Sequence, residues 1–226
     1  MKIVGFGDSF ITVCKDDYGY TNLVAKHFNG EFESYAYAGS GTWDAYFQLE
    51  KYLERNPNPD IVLCAWSASG RLFHPEIRDL CYNSVVLNRK EAETPAHNIV
   101  YDAAMQYYEH LHHVIKADME HACLYYWIDK ELTPKYPNTK FINMWSFPKK
   151  SCDFSNPNEM EYLYEFTNSV ELRPALIHLS YIDEWPKDLG KEHRVNHLTP
   201  KMHKVLADNI IHAIENYNPG LLNIKL

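Results

Sequence analysis

Hydrophobic and polar positions fall into two kinds of block along this chain. KIVGFG at 2–7, DIVLCAW at 60–66 and TKFINMW at 139–145 are short, nearly continuous apolar runs, the pattern of strands covered on both faces. Between them, residues 17–29 and 43–56 carry helical spacing; the first starts near Thr21 and stops at Asn29-Gly30, and the second is closed by the breaker NPNP. EFESYAYA at 31–38 alternates as a second strand, and AGSGT at 38–42 is a turn. Strand and helix taking turns on this scale predict parallel βαβ units. The expected fold is therefore α/β, a three-layer parallel sheet of about five strands with helices on both faces.

After residue 66 the pattern loosens. Residues 70–97 show few periodic segments and read as an insertion over the sheet edge. Residues 98–130 read as one long helix rich in Tyr and His, and 147–175 as a second insertion of loop with short helix. PALIHLSYI at 174–182 is strand or loop. The segment 198–217 is a helix in which Thr199 caps the N-terminus, Pro200 fits the first turn, and Val205, Leu206, Ile210, Ile211 and Ile214 form an apolar face. No repeat, low-complexity tract or linker interrupts residues 1–226, so one domain is expected.

Composition narrows the class. The net charge of −8 argues against a general nucleic-acid or anionic-membrane surface. No apolar run is long enough to span a bilayer, and MKIVGFGD lacks the features of a signal peptide. The five cysteines, Cys14, Cys64, Cys81, Cys123 and Cys152, are scattered without a CxxC pair. That favours neither a disulfide framework nor a cysteine zinc site and predicts a reduced, cytoplasmic protein. Oligomeric state is left open by the sequence.

Four features point to chemistry. A serine hydroxyl becomes a nucleophile only beside a base and facing donors for the developing oxyanion. Ser9 directly follows the first strand, where open α/β sheets place ligand sites and the start of a helix can face a substrate. The glycine turn AGSGT follows the second strand, the third ends in AWSASGR with Ser67 and Ser69, and His197 lies just before the capped final helix. All four can converge at one sheet edge. Asp8 reads as a buried hydrogen-bonding residue. Gly7-Asp8-Ser9 is not the GxSxG elbow, and GFGDSF is not the dinucleotide-binding GxGxxG.

The ordered set GFGDSF, YAYAGSGTWDA and NHLTPKMHKVLADNI resembles the SGNH (GDSL-like) hydrolases. The resemblance implies a flavodoxin-like fold with strand order 2-1-3-4-5, Ser9 as nucleophile and His197 as base. It also implies an oxyanion hole of the Ser9 and Gly39 backbone N–H groups, Gly41 being the other choice, with Ser67 at the family's asparagine position. Trp43, Tyr46, Phe47 and Leu49 then follow Gly39 at the family's usual offsets. Two positions depart from the family pattern. Ser67 replaces the asparagine, in a Trp-Ser variant followed by Arg71 that several viral-looking members share. Arg194 stands where the family places its acid, leaving Asp183, Asp188, Glu192 or a backbone carbonyl to orient His197.

The expected activity is that of a serine esterase without metal or organic cofactor. It would cleave a short acyl ester of a small molecule or carbohydrate, with an O-acetyl group as the family analogy. The alternative is a catalytically silent SGNH-like fold used for binding or assembly. A third reading, a metal-dependent hydrolase, rests on the 12 histidines. His110 and His113 share a face of the expected long helix, and His193–His197 and Asp208–His212 are four apart, but no HExxH is present. Packed or solvated histidines are the simpler reading. The surplus tyrosines, 17 in all, read as core or as walls for a sugar.

Overall fold

The computed structural model describes residues 1–13, 17–77, 80–88, 95–149, 156–182 and 197–226. Its centre is a parallel sheet of six strands: β1 Lys2–Gly7, β2 Glu31–Ser34, β3 Ile61–Trp66, β4 Lys140–Trp145, β5 Val170–Arg173 and β6 Gly220–Asn223, in the order β2-β1-β3-β4-β5-β6. This is the flavodoxin-like arrangement, with one strand more than the pattern predicts. The apolar runs form the central strands because each residue of β3 is buried, on alternate faces.

Helices α1 (Tyr20–His27), α6 (Leu176–Tyr181) and α7 (Pro200–Glu215) cover one face with Ile3, Leu63, Ile142 and Leu172. Helices α2 (Thr42–Arg55) and α5 (Val114–Trp127) cover the other with Phe6, Val62, Trp66 and Phe141. A third apolar cluster lies apart from both, where α3 (Tyr82–Asn88) meets α4 (Pro95–His110) through Val85, Tyr101 and Met105.

Five expectations need correction. β2 ends at Ser34 rather than residue 38. The chain still runs beside β1, since Tyr35 and Tyr37 donate their N–H groups to the Gly5 and Gly7 carbonyls at 2.8 and 3.3 Å. The single helix over 98–130 is two helices: Leu111 and His112 both bond back to the Tyr107 carbonyl and close α4, and His113 begins α5 anew. His110 and His113 therefore share no helix face. β5 lies inside the stretch read as loop, and the segment 174–182 contains α6 rather than a strand. No helix starts at Ser9: the Ile11 N–H bonds to the Asp8 carbonyl at 3.1 Å in a turn, and α1 begins only at Tyr20.

The final helix is as expected. The Thr199 side chain accepts from the Met202 N–H, and Pro200 opens α7. Among the described residues, no helix is long and apolar enough to cross a membrane. Cys64, Cys81 and Cys123 are free thiols; Cys14 and Cys152 lie outside the described residues.

Candidate active site

The strand order puts β1 between β2 and β3, so the order in which strands are added reverses at β1. That is where an open α/β sheet leaves a crevice. Ser9 stands there, half-buried, and its Oγ lies 2.8 Å from Nε2 of the exposed His197. The two are 188 positions apart in the chain. His197 holds a left-handed backbone with φ of +63°, uncommon for a residue with a Cβ and a conformation that recurs at functional sites. The Phe10 ring packs beside its imidazole with centroids 4.9 Å apart, and Phe147 meets Phe10 edge-on at 5.8 Å.

Gly7 allows this turn to form. Its φ is +148°, and a Cβ there would sit 2.4 Å from the Ala65 carbonyl oxygen. Asp8 then turns inward and is fully buried. Its Oδ1 accepts from the Phe10 N–H at 3.1 Å and the Ser146 hydroxyl at 2.8 Å, tying the exit of β1 to that of β4. Oδ2 has no hydrogen-bond partner. Burial pushes the Asp8 carboxyl above its usual range, against the opposing pull of Arg71 and of its hydrogen-bonding neighbours.

Ser67 ends β3 between these two exits. It is 3% exposed, and its hydroxyl meets no partner in hydrogen-bond geometry, although it stands near enough to Asp8 to pull that carboxyl down. Its carbonyl accepts from the Thr42 hydroxyl at 3.0 Å. The glycine turn is fastened from below, where the Ser40 hydroxyl donates to the Gly7 carbonyl at 2.7 Å. Gly39 in this turn has a φ of +80°. Gly41 is the N-cap of α2 and extended, with φ of −89°.

The structure thus joins Ser9 to His197 and places the Gly39 turn and Ser67 on the flanking strand exits. Arg194, Asp183, Asp188, Glu192 and His193 lie outside the described residues. The second histidine of the last motif, His203, is fully buried and accepts from the Tyr20 N–H at 3.1 Å, which locks α7 to α1. Asp208 pairs with Lys204 at 3.0 Å, and His212 contacts Asn216. His121 is packed with Nδ1 on the Ala117 carbonyl at 2.8 Å, and burial lowers its pKa. Among the described residues, no three His, Cys, Asp or Glu side chains form a metal-ligand group.

Sequence reasoning missed Ser40, Ser146 and Phe147. A signal for Ser146 exists: Trp145-Ser146 repeats the Trp66-Ser67 pair, and the two tryptophans stand in register on neighbouring strands.

No family model and no curated protein matches the chain. Several solved structures are similar to it, among them three esterases. One is a carbohydrate esterase, with 13% identity and a TM-score of 0.46, covering 96% of this chain and 68% of its own. Another is an acetyl xylan esterase from the rumen bacterium Butyrivibrio proteoclasticus, with 12% identity and a TM-score of 0.41, covering 95% and 63%. The third is a carbohydrate esterase family 2 enzyme with its carbohydrate-binding domain from Myceliophthora fergusii, with 15% identity and a TM-score of 0.36, covering 95% and 66%.

Proposed function

We propose that this protein is a serine ester hydrolase of SGNH type. The observation that carries the reading is the 2.8 Å contact between Ser9 Oγ and His197 Nε2 at the carboxyl edge of a parallel sheet. In this mechanism Nε2 takes the Ser9 proton as Oγ attacks the ester carbonyl. The backbone N–H groups of Ser9 and Gly39 and the Ser67 hydroxyl receive the charge that builds on the carbonyl oxygen. Collapse of the tetrahedral species expels the alcohol, which takes the proton from His197. A water then attacks the acyl carbon as His197 takes its proton; the acyl–Oγ bond breaks, Ser9 Oγ takes the proton back from His197, and the acid leaves. For Ser67 to donate, its hydroxyl rotates from its place beside Asp8 toward the substrate.

The substrate of this reading is a short acyl ester, with an O-acetylated carbohydrate as the class that the motif resemblance implies. The test is hydrolysis of p-nitrophenyl acetate and butyrate by wild type and Ser9→Ala, with labelling by a fluorophosphonate probe. Turnover and labelling that both vanish in Ser9→Ala support the mechanism. Folded wild-type protein that neither turns over nor labels would overturn it in favour of a binding or assembly role.

A further inference from the structure

Arg71 is a cation of this crevice that forms no ion pair among the described residues. The loop that carries it is pinned on both sides. Ser69 donates to the Asp118 carboxylate at 2.6 Å, Tyr108 donates to the Gly70 carbonyl at 2.6 Å, and Leu72 donates its N–H to the Leu80 carbonyl at 3.0 Å. The side chain crosses the carboxyl edge of the sheet. One nitrogen, Nη1, donates to the Ser40 carbonyl at 3.3 Å in the turn after β2, and the guanidinium lies 5.6 Å from the centre of the Phe147 ring after β4. β1 and β3, with Ser9 and Ser67 at their ends, lie between those two supports.

Gly41 makes this placement possible. A Cβ there would sit 3.2 Å from the Arg71 Cβ, so the glycine turn accepts the arginine against its backbone. No carboxylate forms an ion pair with Arg71 among the described residues. Asp8 feels the Arg71 charge without forming an ion pair and is pushed toward its neutral form by burial; Asp118 is engaged by Ser69. A guanidinium carries five N–H donors in a planar fork. One of the five is committed to the Ser40 carbonyl, and the others of this half-buried side chain are open to a ligand.

We infer that Arg71 is an anion-binding residue of the active site, and that the natural ester carries a carboxylate which the guanidinium fork receives beside Ser9. The fork geometry selects a planar carboxylate, in a chain whose net charge of −8 otherwise repels anions. This inference rests on the hydrolase reading above and names the substrate class of that same site.

Two matched ester pairs test it: 4-acetoxybenzoate against 4-acetoxybenzamide, and mono-4-nitrophenyl succinate against 4-nitrophenyl butyrate. They place the carboxylate on the alcohol and acyl sides in turn. Wild type is expected to favour the anionic member of at least one pair. Arg71→Gln should lower kcat/KM on that ester by roughly tenfold to a hundredfold more than on its neutral partner, chiefly through KM, as loss of a hydrogen-bonded charge does. Arg71→Lys, which keeps the charge and loses the fork, should fall between them. An equal fall on both members of a pair would assign Arg71 to the oxyanion or to the fold and overturn the inference. So would a wild type that turns over and labels at Ser9 with no charge preference in either pair, leaving the hydrolase reading intact. Absence of both turnover and labelling would bring down the two together.

Discussion

Two aspartates, both shielded from solvent, sit in regions with opposite character. Asp129, in the π-helical turn Ile128–Leu132 after α5, is surrounded by donors. It accepts from the N–H groups of Thr167 and Asn168, the hydroxyls of Thr167 and Tyr164, and the Lys130 ammonium at 3.0 Å. Burial alone would raise its pKa, but these bonds outweigh it and hold the carboxyl below the usual range. Asp8, at the exit of β1, keeps one oxygen without a partner beside an equally unpartnered Ser67 hydroxyl, and its pKa is raised. One region spends its polar groups on the frame. The other leaves them unspent where Ser9 and His197 meet. Substitutions should therefore cost stability in the first and activity in the second.

The largest effect should come from Ser9→Ala. It should reduce ester turnover by roughly 10⁴-fold or more with no loss of thermal stability, measured as kcat/KM and a melting curve on the same sample. Asp129→Ala should do the reverse. It strands the Thr167 and Asn168 N–H groups and should cost about 3 kcal/mol, a fall in Tm on the order of 10 °C, with kcat on p-nitrophenyl acetate within about threefold of wild type. An Asp129→Ala protein that kept its stability would erase the contrast between the regions.

Ser67→Ala sharpens it. The hydroxyl makes no hydrogen bond of good geometry in the resting structure and only assists the Asp8 carboxylate, so denaturant melts should stay within about 1 kcal/mol of wild type. Turnover should drop about tenfold to a hundredfold if the hydroxyl serves the oxyanion.

The smallest effect is a difference in pH dependence. Asp129, with its folded pKa depressed, contributes stability above its unfolded value near 3.8, and that stability is lost as pH falls through the folded pKa. Asp8, with its folded pKa raised, makes the opposite contribution: stability present below 3.8 declines as pH rises through its folded value. In Tm profiles, Asp129→Asn should flatten the acid side below pH 3.8, and Asp8→Asn should remove a decline above it. Identical profiles for the two variants would contradict the opposite shifts.

The legible parts of the chain are those where local chemistry and burial agree. β1, β3 and β4 are apolar runs buried on both faces, and Thr199-Pro200 declares the start of α7 in two residues. The Ser9–His197 pair was legible because each partner follows or precedes such an element. β5 was hidden by Glu171, a buried charge inside a strand. Its carboxylate is held by the Trp145 indole at 2.8 Å and the Phe166 N–H at 2.9 Å, partners that only the fold supplies. The break between α4 and α5 carries no proline or glycine; it arises because the two helices serve different apolar clusters. The Ser40–Gly7 and Ser146–Asp8 links span 33 and 138 positions and leave no local pattern at all.

The 188-residue separation of Ser9 and His197 also has a consequence in time. Synthesis delivers Ser9 at the end of β1, and His197 follows 188 positions later, at the threshold of α7. Over that interval a nascent chain carries Ser9 without its His197 contact. On the proposed mechanism, hydrolysis by a ribosome-bound or split form of this protein would therefore require the segment that carries His197 and α7 to be in place.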